Sequence, residues 1–221
     1  MTQIDVKQKV LAANMEAAAA LRAGFAASRT LVVNLISSPG SGKTTFLERT
    51  VADLKGRLRL GGIEGDIATE RDADRLRRHG IPARQILTGG SCHLDARQVR
   101  QALDDEDGAL SALDILFIEN VGNLICPTNY DLGEDFKVVL LSVTEGDDKP
   151  FKYPAIFSKA ALAVLTKVDL LPHVDFDLPA VRDQIRTLNP EGRLLETSAK
   201  TGAGMESWYE LLSSALAKKR A

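Results

Sequence analysis

LVVNLISSPGSGKTT, residues 31–45, passes from an apolar run with paired valines to small residues and then to Lys43 and Thr44. A buried strand that enters a phosphate-binding loop and opens a helix reads this way. Gly40 and Gly42 let the backbone curl around Ser41 until its N–H groups converge on anionic oxygens, and the following helix adds its N-terminal field. Lys43 is expected to neutralise the β- and γ-phosphates of a nucleoside triphosphate. The Thr44 hydroxyl is expected in a magnesium shell, with Thr45 continuing the turn beside the nucleotide. One position departs from Gly-x-x-x-x-Gly-Lys-Ser/Thr: Ser37 stands first. The loop tolerates it only if the backbone there is extended and needs no positive φ.

Ahead of this stretch, residues 5–28 are alanine-rich, with Val10, Leu11, Met15, Ala18, Leu21 and Phe25 at helical spacing. That spacing predicts an amphipathic N-terminal helix. Beyond it, Thr45 to Leu54 continues as a helix, and apolar runs at 58–63, 114–118, 138–143, 161–166 and 193–196 predict strands. Helical patterns occupy 69–78, 94–104, 177–188 and 204–219. Strands alternating with helices imply an α/β fold, a mostly parallel sheet flanked by helices, of the P-loop NTPase kind. Ligands of such a sheet sit at the carboxyl ends of its strands.

A length of 221 residues suits one sizeable α/β domain. The 28 basic and 30 acidic side chains leave a net charge of −2, and the one short basic run is Lys218 to Arg220, so no nucleic-acid footprint is present. No apolar stretch has the length of a membrane span, and MTQIDVKQKV lacks a basic-then-apolar leader, so a cytoplasmic location is expected. Two cysteines, Cys92 and Cys126, are free for metal or redox work in a reduced compartment.

Three groups of residues carry chemistry. In IEGDIATERDADR, Asp66 falls just past a strand and before a cap at Thr69, where it can face magnesium or position water, whereas Arg71, Asp72 and Asp74 read as a solvated helix face. In DILFIENVGNLICP, Glu119 ends a strand and can hold a magnesium-bound water. Gly122 can donate its N–H to the γ-phosphate and sense it, which makes Lys43, Asp66 and Gly122 the expected catalytic set. No arginine or glutamine stands out to stabilise the transition state, so slow intrinsic turnover is expected.

The second group reads a base. Asp169 in LTKVDLL can accept from guanine N1 and N2, groups that adenine cannot offer, while the Lys167 stem covers the ring. Thr166 stands where Asn is common. Ser198, Ala199 and Lys200 in ETSAK follow, with the Ala199 N–H directed at guanine O6. An ATP-dependent small-molecule kinase or a non-catalytic nucleotide-responsive binding protein could use the same loop, and competition between GTP and ATP separates the kinase.

The third group is Cys92 and His93 in GGSCHLDA, placed at a helix entry, with Cys126 beyond the sensing glycine. Three such ligands suit a soft or borderline metal and leave a tetrahedral site short, to be filled by water or by a second chain across a two-fold axis. His79 and His173 read as surface or capping residues. Asp147, Asp148 and Lys149 lie in a turn-rich loop at 144–154, at the catalytic edge.

From about Thr30 to Trp208, these segments together resemble the nickel-inserting GTPases that mature NiFe hydrogenases, the HypB family, in the dimerising class that includes the urease accessory GTPase. NLISSPGSGKTT, IEGDIATERDADR, TGGSCHLDA, FIENVGNLICP, KPFKYP, LTKVDLLP and SAKTGAG carry the likeness. The resemblance implies a GTP hydrolase that dimerises on GTP and places Cys92, His93 and Cys126 on nickel or zinc at the interface. It also implies phosphate and magnesium roles for Lys43, Thr44, Asp66, Glu119 and Gly122, and base roles for Lys167, Asp169 and Ala199. Implied partners are a maturation factor of the HypA type and, directly or indirectly, the hydrogenase large subunit, with a peptidyl-prolyl isomerase as a nickel donor. MTQIDVKQKVLAANMEAAAAL carries neither the cysteine-rich nor the histidine-rich segment of some members, so bulk nickel storage is not expected and delivery is expected to rely on the GTPase site or on a partner. The expected division is 1–28, a helix packed on the core, and 29–221, a P-loop GTPase domain with inserted metal-binding loops.

Overall fold

In the computed structural model, which describes residues 3–67, 71–104 and 108–221, strand β1 (Leu31–Ser37) is buried along its whole length. Its neighbours are β4 (Ile115–Glu119) and β5 (Phe136–Ser142). Outside these lie β2 (Leu60–Asp66) and β3 (Ala83–Leu87) on one flank and β6 (Leu162–Thr166) and β7 (Arg193–Glu196) on the other. The order is β3-β2-β4-β1-β5-β6-β7, and every pairing is parallel. Central strands are apolar on both faces because helices cover both.

Leu31, Val33 and Leu35 point to the face covered by α2 (Lys43–Leu54), α3 (Arg71–Arg78) and α8 (Met205–Arg220). There Trp208 is fully buried, tilted against Phe46 with ring centroids 5.3 Å apart, and its Nε1 donates to Thr50 Oγ1 at 3.0 Å. Val32 packs on the opposite face with α1 (Gln3–Ser28) and α4 (Ala96–Leu103). Ile36 joins the third cluster, with α6 (Pro154–Lys159) and α7 (Leu178–Leu188). A four-residue helix, α5 (Lys149–Lys152), precedes α6 in the loop after β5.

Two expectations need correction. ARQIL forms β3, a strand hidden from the apolar pattern because an edge position accepts Arg84 and Gln85. Gln85 Nε2 donates to the Glu64 carbonyl at 2.9 Å, and its Oε1 accepts from Ala73 N at 3.0 Å. In α1 the buried stripe is Asn14, Ala18, Leu21 and Phe25, while Val10 and Met15 are exposed. Asn14 belongs there because its side chain accepts from Ala96 N and donates to the Asp131 carbonyl, both at 2.8 Å. The cap expected at Thr69 lies outside the described residues. Among the described residues, no helix is long and apolar enough to cross a membrane.

Asp114, just before β4, joins the sheet to α8. It accepts from Arg59 N and Arg59 Nη2, each at 2.7 Å, and Arg220 closes on the same carboxylate. Burial pushes this carboxyl up, but the arginine hydrogen bonds outweigh burial and hold it at about 2. Its stabilisation is therefore complete above the unfolded value near pH 4 and is lost as pH falls toward 2. Asp114→Asn is expected to remove about 1–2 kcal/mol at neutral pH, discounted because Arg59 is largely exposed. Urea melts at stepped pH check this, and the variant should lose less stability than the native chain between pH 4 and 2.

Candidate functional site

Ser37 ends β1 in parallel register with Leu140, so its backbone is extended as the off-pattern loop requires. The turn beyond it uses glycine where glycine is needed, with φ of +82° at Gly40 and +88° at Gly42. The serine is also used chemically. Its Oγ accepts from Lys43 Nζ at 3.0 Å and from Ser41 Oγ, which aims the lysine along the loop. Glu145, which the sequence reading passed over, takes the Ser38 hydroxyl and accepts from Ser142 N at 2.9 Å. Thr166 Oγ1 donates to the Ser41 carbonyl at 2.6 Å and ties the loop to β6.

A cleft of about 580 Å3 opens above this loop. Lys43, Thr44, Asp66, Glu119 and Gly122 all line it, so the carboxyl ends of three strands bring the expected phosphate residues together. Thr44 Oγ1 donates to Glu119 Oε1 at 2.8 Å, and Lys43 Nζ lies 3.9 Å from the same oxygen. Glu64 sits beside Glu119 in register on the adjacent strand and is 1% exposed. Burial first, and then the charge of Glu119, raise Glu64 well above the carboxylate range. Burial raises Glu119 too, but less, because Lys43 and the Thr44 hydrogen bond oppose it. The hydroxyl of Thr44 and the carboxylates of Glu119 and Asp66, all on the cleft wall, make an oxygen donor set that fits a hard divalent cation.

Asp72 and Arg75 were not expected here. Asp72 lines the cleft instead of a solvated face, because α3 starts at the cleft rim and turns its first acid inward. Arg75 lines it as well, although no arginine stood out in the sequence. Its guanidinium is held by Glu48 (Nε to Oε1, 3.1 Å), with Thr45 Oγ1 at 3.3 Å and Asp72 at 3.5 Å. An arginine so paired braces α2 against α3.

Next to the phosphate cleft lies a smaller cavity of about 220 Å3. Lys167, Asp169, Ser198, Ala199 and Lys200 line it, together with Gly42 and Thr45 of the loop. Lys167 has φ +59°, and its Nζ donates to the Gly40 carbonyl at 2.8 Å, so its stem spans from one loop to the other. Asp169 Oδ1 accepts from Ser198 Oγ at 2.6 Å, which fixes the carboxylate plane.

Cys92 and His93 lie on the connection from β3 to α4, and Cys126 opens a 3-10 turn, Cys126–Asn129, after β4. One ligand atom from each lies within 4.8 Å of the others. The sulfurs are 2.9 Å apart, and His93 Nδ1 is 3.8 Å from Cys92 Sγ. Burial lowers the His93 pKa, which favours the neutral imidazole that a metal takes. The Tyr130 ring, with its centroid 3.8 Å away, packs on His93. The expected helix entry at Cys92 is corrected: α4 begins at Ala96 behind an Asp95 cap, whose side chain accepts from Gln98 N at 2.9 Å. Cys92 is placed by its turn, not by a helix end.

Residues 31–196 match the family described as CobW/HypB/UreG, nucleotide-binding domain. The chain is 50% identical over 206 residues to the hydrogenase maturation factor HypB of Azotobacter chroococcum, covering 93% of this chain and 67% of that protein. In structure it is similar to HypB from Archaeoglobus fulgidus, with 41% identity, a TM-score of 0.86, and 93% and 99% of the two chains covered. It is also similar to HypB from Helicobacter pylori in complex with nickel, with 42% identity, a TM-score of 0.85, and 94% and 95% covered. The chain thus belongs to the CobW/HypB/UreG nucleotide-binding family and is a GTPase of its HypB branch, the branch of the hydrogenase maturation factors.

Proposed function

We propose that this GTPase uses GTP-dependent dimerisation to complete a nickel site from Cys92, His93 and Cys126, and that hydrolysis releases the metal toward a NiFe hydrogenase. The observation that carries the reading is connectivity: Gly122 lines the phosphate cleft, and Cys126 follows it by four residues. Lys43, Gly40, Ser41, Gly42, Thr44 and Thr45 hold the phosphates, and Lys167, Asp169, Ser198, Ala199 and Lys200 hold the base. Thr44, Asp66 and Glu119 hold magnesium, which when bound neutralises charge on the β- and γ-phosphates. Water bonds to the γ-phosphorus as the bond to the β,γ-bridging oxygen breaks, leaving GDP and phosphate. Gly122 then loses its contact. Zinc can occupy the same cysteine and histidine ligands. A maturation factor of the HypA type is the proposed partner, with the hydrogenase large subunit as direct or indirect recipient. A cytoplasmic setting keeps the two thiols reduced.

Sedimentation velocity tests the reading. With magnesium and a non-hydrolysable GTP analogue the chain should sediment as a dimer, and with GDP as a monomer. An unchanged distribution would contradict it.

Base selection follows from Asp169. Asp169→Asn replaces an acceptor with a donor, so GTP should bind about 100-fold more weakly, the cost of two charge-assisted hydrogen bonds. Xanthosine triphosphate, which has a carbonyl where guanine has its amino group, should gain. Competition against a fluorescent guanine nucleotide measures both, and tight ATP binding by the native chain would favour the kinase alternative.

A further inference from the structure

We propose that Asn123 couples the phosphate end of the nucleotide cleft to the metal centre, an inference that rests on the nucleotide-controlled site described above. Gly122 is packed directly on the phosphate loop. A Cβ there would lie 2.9 Å from Pro39 Cγ and 3.2 Å from Pro39 N, so this backbone must follow any shift of the loop. One residue on, Asn123 Nδ2 donates to the Cys92 carbonyl at 3.3 Å, and its Oδ1 accepts from Ile125 N at 2.8 Å. A single side chain therefore joins the sensing glycine, the Cys92 turn and the approach to Cys126.

The flanks of this span are anchored. Upstream, Asn120 is 1% exposed, and its Oδ1 accepts from Leu94 N at 3.1 Å and Val121 N at 3.0 Å. Downstream, Lys137 Nζ of β5 donates to the carbonyls of Pro127, Thr128 and Tyr130 at 3.2, 3.4 and 2.7 Å. Movement at Gly122 is thereby confined to the span 121–126. Asn123 passes it to Cys92, while the turn that starts at Cys126 stays with Lys137. The distance between the two sulfurs is the quantity that changes, and a metal shared by them responds directly. Linkage makes the coupling reciprocal, so nickel biases nucleotide choice through the same residue.

Two variants test this. Asn123→Ala removes both hydrogen bonds, whereas Asn123→Asp keeps the acceptor for Ile125 N and removes the donor to Cys92. Ni2+ affinity is measured by competition with a chromophoric chelator, with GDP and with a non-hydrolysable GTP analogue, both with magnesium. The native chain should show a ratio of the two affinities within about 5- to 150-fold, the range of typical coupling. Both variants should bring that ratio to within about twofold of unity, with GDP affinity and thermal midpoint near native. A native-like ratio in either variant would overturn the role of Asn123, including the case in which nickel binding weakens equally with both nucleotides. A native ratio of one would instead overturn the underlying reading, and the native chain alone reports that.

Discussion

Lys43→Ala should abolish measurable GTP hydrolysis and weaken GTP binding by about 10- to 100-fold, the loss of one charge-assisted contact to phosphate. Loss of a donor that meets charge developing in the transition state removes a further factor of about 100 to 1,000 from turnover. The effect reaches beyond the phosphates. Lys43 Nζ lies 3.9 Å from Glu119 Oε1, so its loss also removes the cation beside the proposed magnesium ligand and should change the magnesium dependence of nucleotide binding. Lys43 contacts Ser37 Oγ and approaches Glu119 but is not part of the apolar core, so the fold should survive. Titration with a fluorescent guanine nucleotide at several magnesium concentrations, beside a thermal melt, separates these effects. Native-like hydrolysis in this variant would be incompatible with the assigned site.

Replacing either cysteine of the metal group should lower nickel affinity by at least about 100-fold, because a thiolate ligand is lost from a site of three. Cys92→Ala and Cys126→Ala should also lose the thiolate-to-nickel absorption band, which reads the sulfur ligands directly. His93→Ala should cost less and keep the band. Its imidazole is held by packing against Tyr130, so the sulfurs retain their positions when the ring is removed. Guanine-nucleotide affinity in all three should remain near native, since none of these residues lines the phosphate or base cavity. Equal nickel affinity in the native chain and Cys92→Ala would place the metal elsewhere.

Much of this architecture was legible in residues 31–45 and in the alternation of strands and helices, because a strand covered on both faces must be apolar and glycine must supply positive φ. The grouping of Lys167, Asp169, Ser198, Ala199 and Lys200 around one cavity was legible for the same local reason: LTKVDLL and ETSAK each follow an apolar run that ends at the ligand edge. β3 was not, since an edge strand carries polar residues that pair with backbone, as Gln85 does. Asp72 was misread and Arg75 passed over because a charged helix face looks the same in sequence whether it meets water or a cleft. Asp95 was the missed signal at the metal group: followed three residues later by Gln98, it marks a capping box and so places Cys92 outside the helix. Asn123 had no sequence signal. Its two hydrogen bonds exist only because β3 and β4 deliver their loops to the same end of the sheet.

The central claim is that the terminal phosphate of GTP controls how tightly Cys92 and Cys126 hold nickel. A single-turnover experiment tests it most directly: the protein is loaded with nickel, magnesium and GTP, and phosphate and free nickel are followed together with separate reporters. Nickel should appear with the same time course as phosphate, and should stay bound when a non-hydrolysable analogue replaces GTP. Nickel that leaves at one rate with either nucleotide, or that remains bound after all phosphate has been released, would contradict the account.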